Sequence, residues 1–229
     1  MSGPSSALDE LERLLSPHGL YCRGIVACSG RPDAPLGPGG EAARSVVLIG
    51  AVGGSNWPSF ETWQRQQGPV DHPLDRWSQF VLEPIAAALG AKAYFPSEPP
   101  YQPFQRWAME AEGLSTSPLG ILIHPVYGLW HSYRGALAFD VELPTEQRPT
   151  LPSPCQSCES RPCLTTCPAN AVSEEGFDVE ACRIYLASKA GDAGCMNSAC
   201  KARNACPVGQ AYRYGPAQLR FHMAALMPP

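Results

Sequence analysis

The sequence predicts an α+β protein in two parts, a helix-and-strand domain over residues 1–146 and a small cysteine-rich domain over 147–229. Three observations predict it. Apolar runs with the periods of strands and of helices are interleaved through the first two-thirds of the chain. A segment with four prolines, PTEQRPTLPSP at 144–154, then interrupts them. Beyond it strand patterning stops, and eight of the ten cysteines fall between Cys155 and Cys206.

The elements follow in order. Ser6 can cap a helix over 7–16, with Leu8, Leu11, Leu14 and Leu15 on one face and Pro17, His18 and Gly19 closing it. SVVLIGAV at 45–52 is the unbroken apolar run of a strand buried on both faces. The spacing of Leu74, Trp77, Val81, Ile85 and Leu89 predicts a helix over 73–89 that bends at Pro84, and AKAYF at 91–95 a second strand. PSEPPYQP at 96–103 is too rich in proline for regular structure and leads into a short helix ending before Gly113. GILIH at 120–124 and ALAFDVEL at 136–143 read as two further strands joined by the loop HPVYGLWHSYRG.

Composition excludes some functions. The chain has 229 residues, 44% of them hydrophobic, and a net charge of −4 with no basic run, so no nucleic-acid partner is implied. The N-terminal MSGPSSALDELERLL lacks the features of a secretory signal and no apolar stretch is long enough for a membrane span, which predicts a cytoplasmic protein without membrane partners. GAVGGSNWP at 50–58 lacks a nucleotide-binding glycine pattern, and Cys22 and Cys28 read as small apolar residues.

Without a secretory signal, a dense group of cysteines points to metal or redox chemistry. Cys155, Cys158, Cys163 and Cys167 are spaced C-x2-C-x4-C-x3-C and followed by Pro168, close to the bacterial ferredoxin run. Cys182, Cys195, Cys200 and Cys206, with gaps of twelve, four and five, also end in Cys-Pro at Pro207. Two such ends predict two 4Fe-4S clusters with crossed ligands: Cys155, Cys158, Cys163 and Cys206 on one, Cys167, Cys182, Cys195 and Cys200 on the other. A pair of four-thiolate zinc sites is the alternative, as is one cluster beside a spare site.

Two resemblances add to this reading. FDVEACRIYLAS followed by GCMNSACKARNACPVG resembles the iron-sulfur region of epoxyqueuosine reductases and reductive dehalogenases, families that couple two clusters to a cobalamin. IHPVYGLWHSYRG at 123–135 resembles the signature of the cobalamin-processing CblC family. Ile123, His124, Pro125, Gly128, Trp130, Arg134 and Gly135 match it, and Leu129 replaces its second glycine. The second resemblance covers roughly residues 5–143 and implies a nitroreductase-like fold that binds base-off cobalamin and removes its upper ligand. The family's later glutathione-binding segment is replaced here by the cysteine-rich region.

As corrin contacts the residues make chemical sense, since a corrin is a broad apolar disc fringed with amides. Gly128 and Gly135 permit close backbone approach, Tyr127 and Trp130 offer flat apolar surface, and Arg134 can meet an amide or phosphate. His124 is read as a structural, hydrogen-bonded histidine more readily than as a cobalt ligand. The expected function is a corrinoid reductase fed by an external low-potential electron donor through its two clusters. The alternatives are a cobalamin-dependent reductase of another substrate and a non-catalytic cobalamin chaperone or electron carrier.

Overall fold

The computed structural model describes residues 4–145 and 152–227. In chain order the elements are α1 (Pro4–Leu15), a 3-10 turn (Ser16–His18), β1 (Tyr21–Ala27), β2 (Ser45–Val52), α2 (Trp57–Gln67), α3 (Pro73–Ala88), β3 (Lys92–Tyr94) and α4 (Phe104–Glu112). The two-residue strands β4 (Ser115–Thr116) and β5 (Leu122–Ile123) and the long strand β6 (His131–Phe139) follow. The rest is helical: α5 (Pro162–Thr165), α6 (Val179–Leu186), α7 (Lys189–Gly191), a π-helical turn (Asp192–Met196), α8 (Lys201–Ala205), a 3-10 turn (Gln210–Tyr212) and α9 (Pro216–Ala224). The fold is α+β. No helix among the described residues is long and apolar enough to cross a membrane.

The chain divides into two compact units, Met1–Gly113 with Ser132–Pro149, and Leu114–His131 with Thr150–Pro229. The boundary expected at 146/147 lies outside the described residues. Where the sequence reading kept 114–131 with the N-terminal part, the structure groups that segment with the cysteine-rich part. Its apolar residues explain this, because Leu119, Ile123 and Leu129 share a core with Val172, Ala202 and Cys206.

The first unit is built on a four-stranded sheet of order β1-β2-β6-β3. β2 is an inner strand and is buried along its length except for Val52, which is why its sequence is an unbroken apolar run. β1 pairs with it antiparallel from Tyr21↔Gly50 to Ala27↔Ser45, with a register shift between Cys22 and Gly24. That irregularity carries Arg23 into the interior, where it is 3% exposed. Its Nε donates to Glu112 Oε1 at 3.0 Å and its Nη1 to the Ala51 carbonyl at 2.9 Å. The Tyr133 hydroxyl donates to the other Glu112 oxygen. A buried ion pair is tolerated when such hydrogen bonds surround it.

α3 buries Trp77, Val81 and Ile85, which the sequence spacing marked, together with Leu82 and Ala86. The helix runs on through Pro84 to Ala88. The carbonyl whose bond Pro84 removes belongs to Phe80, which is 59% exposed, so water can take the place of the missing donor. Gly135 on β6 is the point of closest approach: a Cβ there would stand 2.6 Å from Leu82 Cδ1 and 3.1 Å from the Tyr94 carbonyl.

Several expectations shift. α1 begins at Pro4, so Ser6 lies inside its first turn instead of capping it. The strand expected at 91–95 shortens to Lys92–Tyr94. The strand expected at 120–124 shrinks to β5, which pairs with β4 in a separate two-stranded sheet. β6 starts five residues before the expected 136 and stops at Phe139, leaving Val141 52% exposed, so the second half of HPVYGLWHSYRG is strand and not loop.

Candidate functional site

The second unit carries the candidate site, and its chemistry is that of eight cysteines. Cys167 is followed by Pro168 and Cys206, the C-cap of α8, by Pro207. α8 is the short helix between Cys200 and Cys206 and fixes the spacing of those two. Asp178 caps α6 by accepting from the Ala181 N–H at 2.9 Å, which holds Cys182 on the helix's second turn.

The electrostatics of the thiols report who neighbours whom. The Cys155 thiol is raised by burial, then by Cys206, Cys163 and Cys158. Cys163 is raised by burial, then by Cys206 and also by Cys158. Cys206 is raised by burial, with the Val208 amide opposing and Cys158 adding to it. In the other set, Cys182 is pushed up to about 11 by burial, then by Cys200, Cys167 and Cys195. Cys200 is raised by burial, with the Arg203 amide opposing and Cys195 and Cys167 adding. Each raised thiol is thus coupled to other cysteines of this unit.

Cys167, Cys182, Cys195 and Cys200 also border one cavity of about 170 Å3, walled by Leu119, Val172, Phe177, Leu186 and Met223 and holding Lys201, Arg203 and His222 but no carboxylate in its lining. Backbone amides turn toward two of these sulfurs: the Ala171 N–H donates to Cys167 Sγ at 3.4 Å and the Arg203 N–H to Cys200 Sγ at 3.5 Å. The Arg203 amide favours the thiolate form of Cys200. Among the described residues no group of three or more His, Cys, Asp or Glu side chains is gathered so as to hold a metal ion. The four cysteines line one cavity with apolar walls, and thiolates are the ligands that iron-sulfur groups take.

The 123–135 segment is used largely for packing. Ile123 is 1% exposed, Leu129 1% and Trp130 0%, and the first two lie in the core that also holds Cys206. His124 forms a tight turn with Gly128, its N–H bonded to the Gly128 carbonyl and the reverse, each at 2.9 Å. Its Nδ1 accepts from the Val126 and Tyr127 amides at 2.9 and 3.1 Å, and its ring stacks on Tyr127 at 4.2 Å. The structural role expected of His124 is therefore present. Gly128 has a positive φ of 60°, and a Cβ there would stand 2.1 Å from the Val208 carbonyl oxygen, so this glycine admits the turn after Cys206. Pro125 and Tyr127 remain partly accessible. In the first unit, Gly135 serves the α3–β6 contact already described. Arg134 donates through Nε to the Tyr133 carbonyl at 2.9 Å and lies 4.0 Å from Asp75.

The sequence reading missed the aromatic and cationic residues around Trp130. Arg203 places its guanidinium 4.4 Å from the Trp130 ring centre and 4.8 Å from that of Tyr214, and the two rings meet edge to face at 5.3 Å. These partners are far apart in sequence and carry no periodic signal, so only the fold brings them together.

No family description matches the sequence, and no curated protein does. Among solved structures the chain is similar to the C. elegans B12-trafficking protein CblC, a human MMACHC homologue, with a TM-score of 0.54 and 16% identity over 95% of this chain and 92% of that one. The protein therefore has a CblC-like fold. The likeness reaches well beyond the residues 5–143 that the sequence resemblance covers.

Proposed function

We propose that this protein is an iron-sulfur corrinoid reductase: it binds a cobalamin with its lower base displaced, takes electrons from an external low-potential donor, and removes the upper axial ligand. One observation carries the reading. Eight cysteines, several of whose thiols are electrostatically coupled to one another, lie in one unit of a chain whose fold resembles that of a B12-trafficking protein.

Cys155, Cys158, Cys163 and Cys206 would hold one 4Fe-4S cluster and Cys167, Cys182, Cys195 and Cys200 the other. When bound, the clusters supply one-electron transfer and the corrinoid supplies a reducible cobalt. The chain does the rest. The Arg203 amide lowers the cost of ionising Cys200. Leu119, Val172, Phe177 and Met223 line the cavity with apolar surface, and burial raises the Cys182 and Cys200 thiols, so loading would displace their protons. His124 holds the turn that presents Pro125 and Tyr127, the accessible members of the motif and our candidates for corrin contact in this unit.

Anaerobically purified protein should contain about eight iron and eight sulfide per chain. Hydroxocobalamin added to it should take on the spectrum of the base-off form and be reduced when dithionite is supplied without glutathione. Zinc in place of iron would refute the cluster assignment, and an unchanged corrinoid spectrum would refute the cobalamin assignment.

A further inference from the structure

The cavity bordered by Cys167, Cys182, Cys195 and Cys200 contains a cation with no anion to balance it. Arg203 lines that cavity, whose wall holds no carboxylate. None of the ion pairs among the described residues includes Arg203. Its partners are neutral: one terminal nitrogen donates to the Leu129 carbonyl, and the rings of Trp130 and Tyr214 lie against the guanidinium plane. Its Nε is buried without a hydrogen-bond partner. A cation whose Nε is shut off from water and whose partners are all neutral is stabilised when a negative group completes the site.

We propose that Arg203 sets the reduction potential of the centre held by Cys167, Cys182, Cys195 and Cys200. The inference rests on the cluster reading above. Four thiolates make such a centre an anion, and one-electron reduction adds a further negative charge to it while an external one-electron donor is oxidised. A fixed cation in low-dielectric surroundings stabilises the more negative state, so it raises the potential. The aromatic pair holds that charge in place. Arg203 is also the residue midway along α8 between Cys200 and Cys206, so its main chain and side chain serve the same sulfur set, the amide by a bond to Cys200 and the guanidinium by its field.

The test is a redox titration of the full-length, anaerobically loaded protein with dithionite and mediators, followed by electron spin resonance. A Cys206→Ser variant identifies the signal of the second centre. Arg203→Met should lower the reduced-to-oxidised ratio of that centre at fixed donor potential by about tenfold, which is ~59 mV for one electron. The other centre should keep its potential. Arg203→Lys, which retains the charge, should restore most of the shift. Loss of the second centre in Arg203→Met but not in Arg203→Lys would equally support a charge requirement. An unchanged potential in Arg203→Met, or loss of the centre in both variants, would overturn the inference. Wild-type protein that holds no iron would instead overturn the cluster reading itself.

Discussion

A methyl group at Gly128 would meet the Val208 carbonyl oxygen at 2.1 Å, and one at Gly209 would meet the Tyr127 backbone at 2.3 Å. The two turns interlock, and the second follows directly on Cys206. Gly128→Ala must push Val208 away and so displace a thiol distant in sequence. We expect iron content to fall from about eight to about four per chain, as it should in Cys206→Ser, with the second centre's spin-resonance signal retained. Full iron content in Gly128→Ala would show that the turn yields without cost to Cys206. A different kind of residue dependence holds in the first unit. Glu112 is the carboxylate partner of buried Arg23, and both side chains are 3% exposed. Glu112→Leu strands that cation, so urea denaturation should register a loss of about 3–5 kcal/mol. A loss below about 1 kcal/mol, the range of surface pairs, would mean that Arg23 finds another anion or water.

At the scale of elements, legibility followed the source of the signal. β2 and α3 could be read because each is specified by local periodicity: seven consecutive buried positions in one, a 3.6-residue apolar stripe in the other. β1 could not, since its register shift puts a charged Arg23 inside and breaks the alternation. β6 was misplaced because its first residues are polar and half-buried, and because Ala136–Phe139 are all buried instead of alternating. The gathering of eight cysteines in one unit was legible from the sequence, whereas the Arg203–Trp130–Tyr214 contacts depend on separate segments. The 3-10 turn Ser16–His18 gives a prediction of its own. Burial lowers the His18 pKa, so the folded chain takes up that proton less readily than the unfolded one. Above the unfolded value of about 6.5 neither form is charged and stability is unaffected. As pH falls through that value the unfolded chain protonates first, and stability declines until the folded pKa is passed. The denaturation midpoint of wild type should therefore drop more than that of His18→Gln between pH 7 and 5; parallel curves would remove His18 as a contributor.

For the whole molecule, the decisive fact is that the cysteine-rich unit is discontinuous: residues 114–131 belong with 150–229, and the chain passes out to the first unit in between. Cutting the chain at 149 does not release an intact N-terminal domain. It leaves Ile123, Leu129 and Trp130 without the core that buries them. Such a truncation should aggregate or bind a hydrophobic dye strongly, and a soluble, dye-silent fragment would show that 114–131 finds cover elsewhere. The same discontinuity governs events on the ribosome. Trp130 emerges before Arg203 and Tyr214 have been translated, and at roughly 5–20 residues per second the indole waits several seconds for its partners. The thiols of Cys155, Cys158 and Cys163 wait too, because Cys206, their neighbour in the folded unit, is translated later. On the cluster reading proposed above, iron loading would be a late event in biosynthesis, completed only after Cys206 has emerged, and a nascent chain stalled before that residue is one that delivery machinery should pass over.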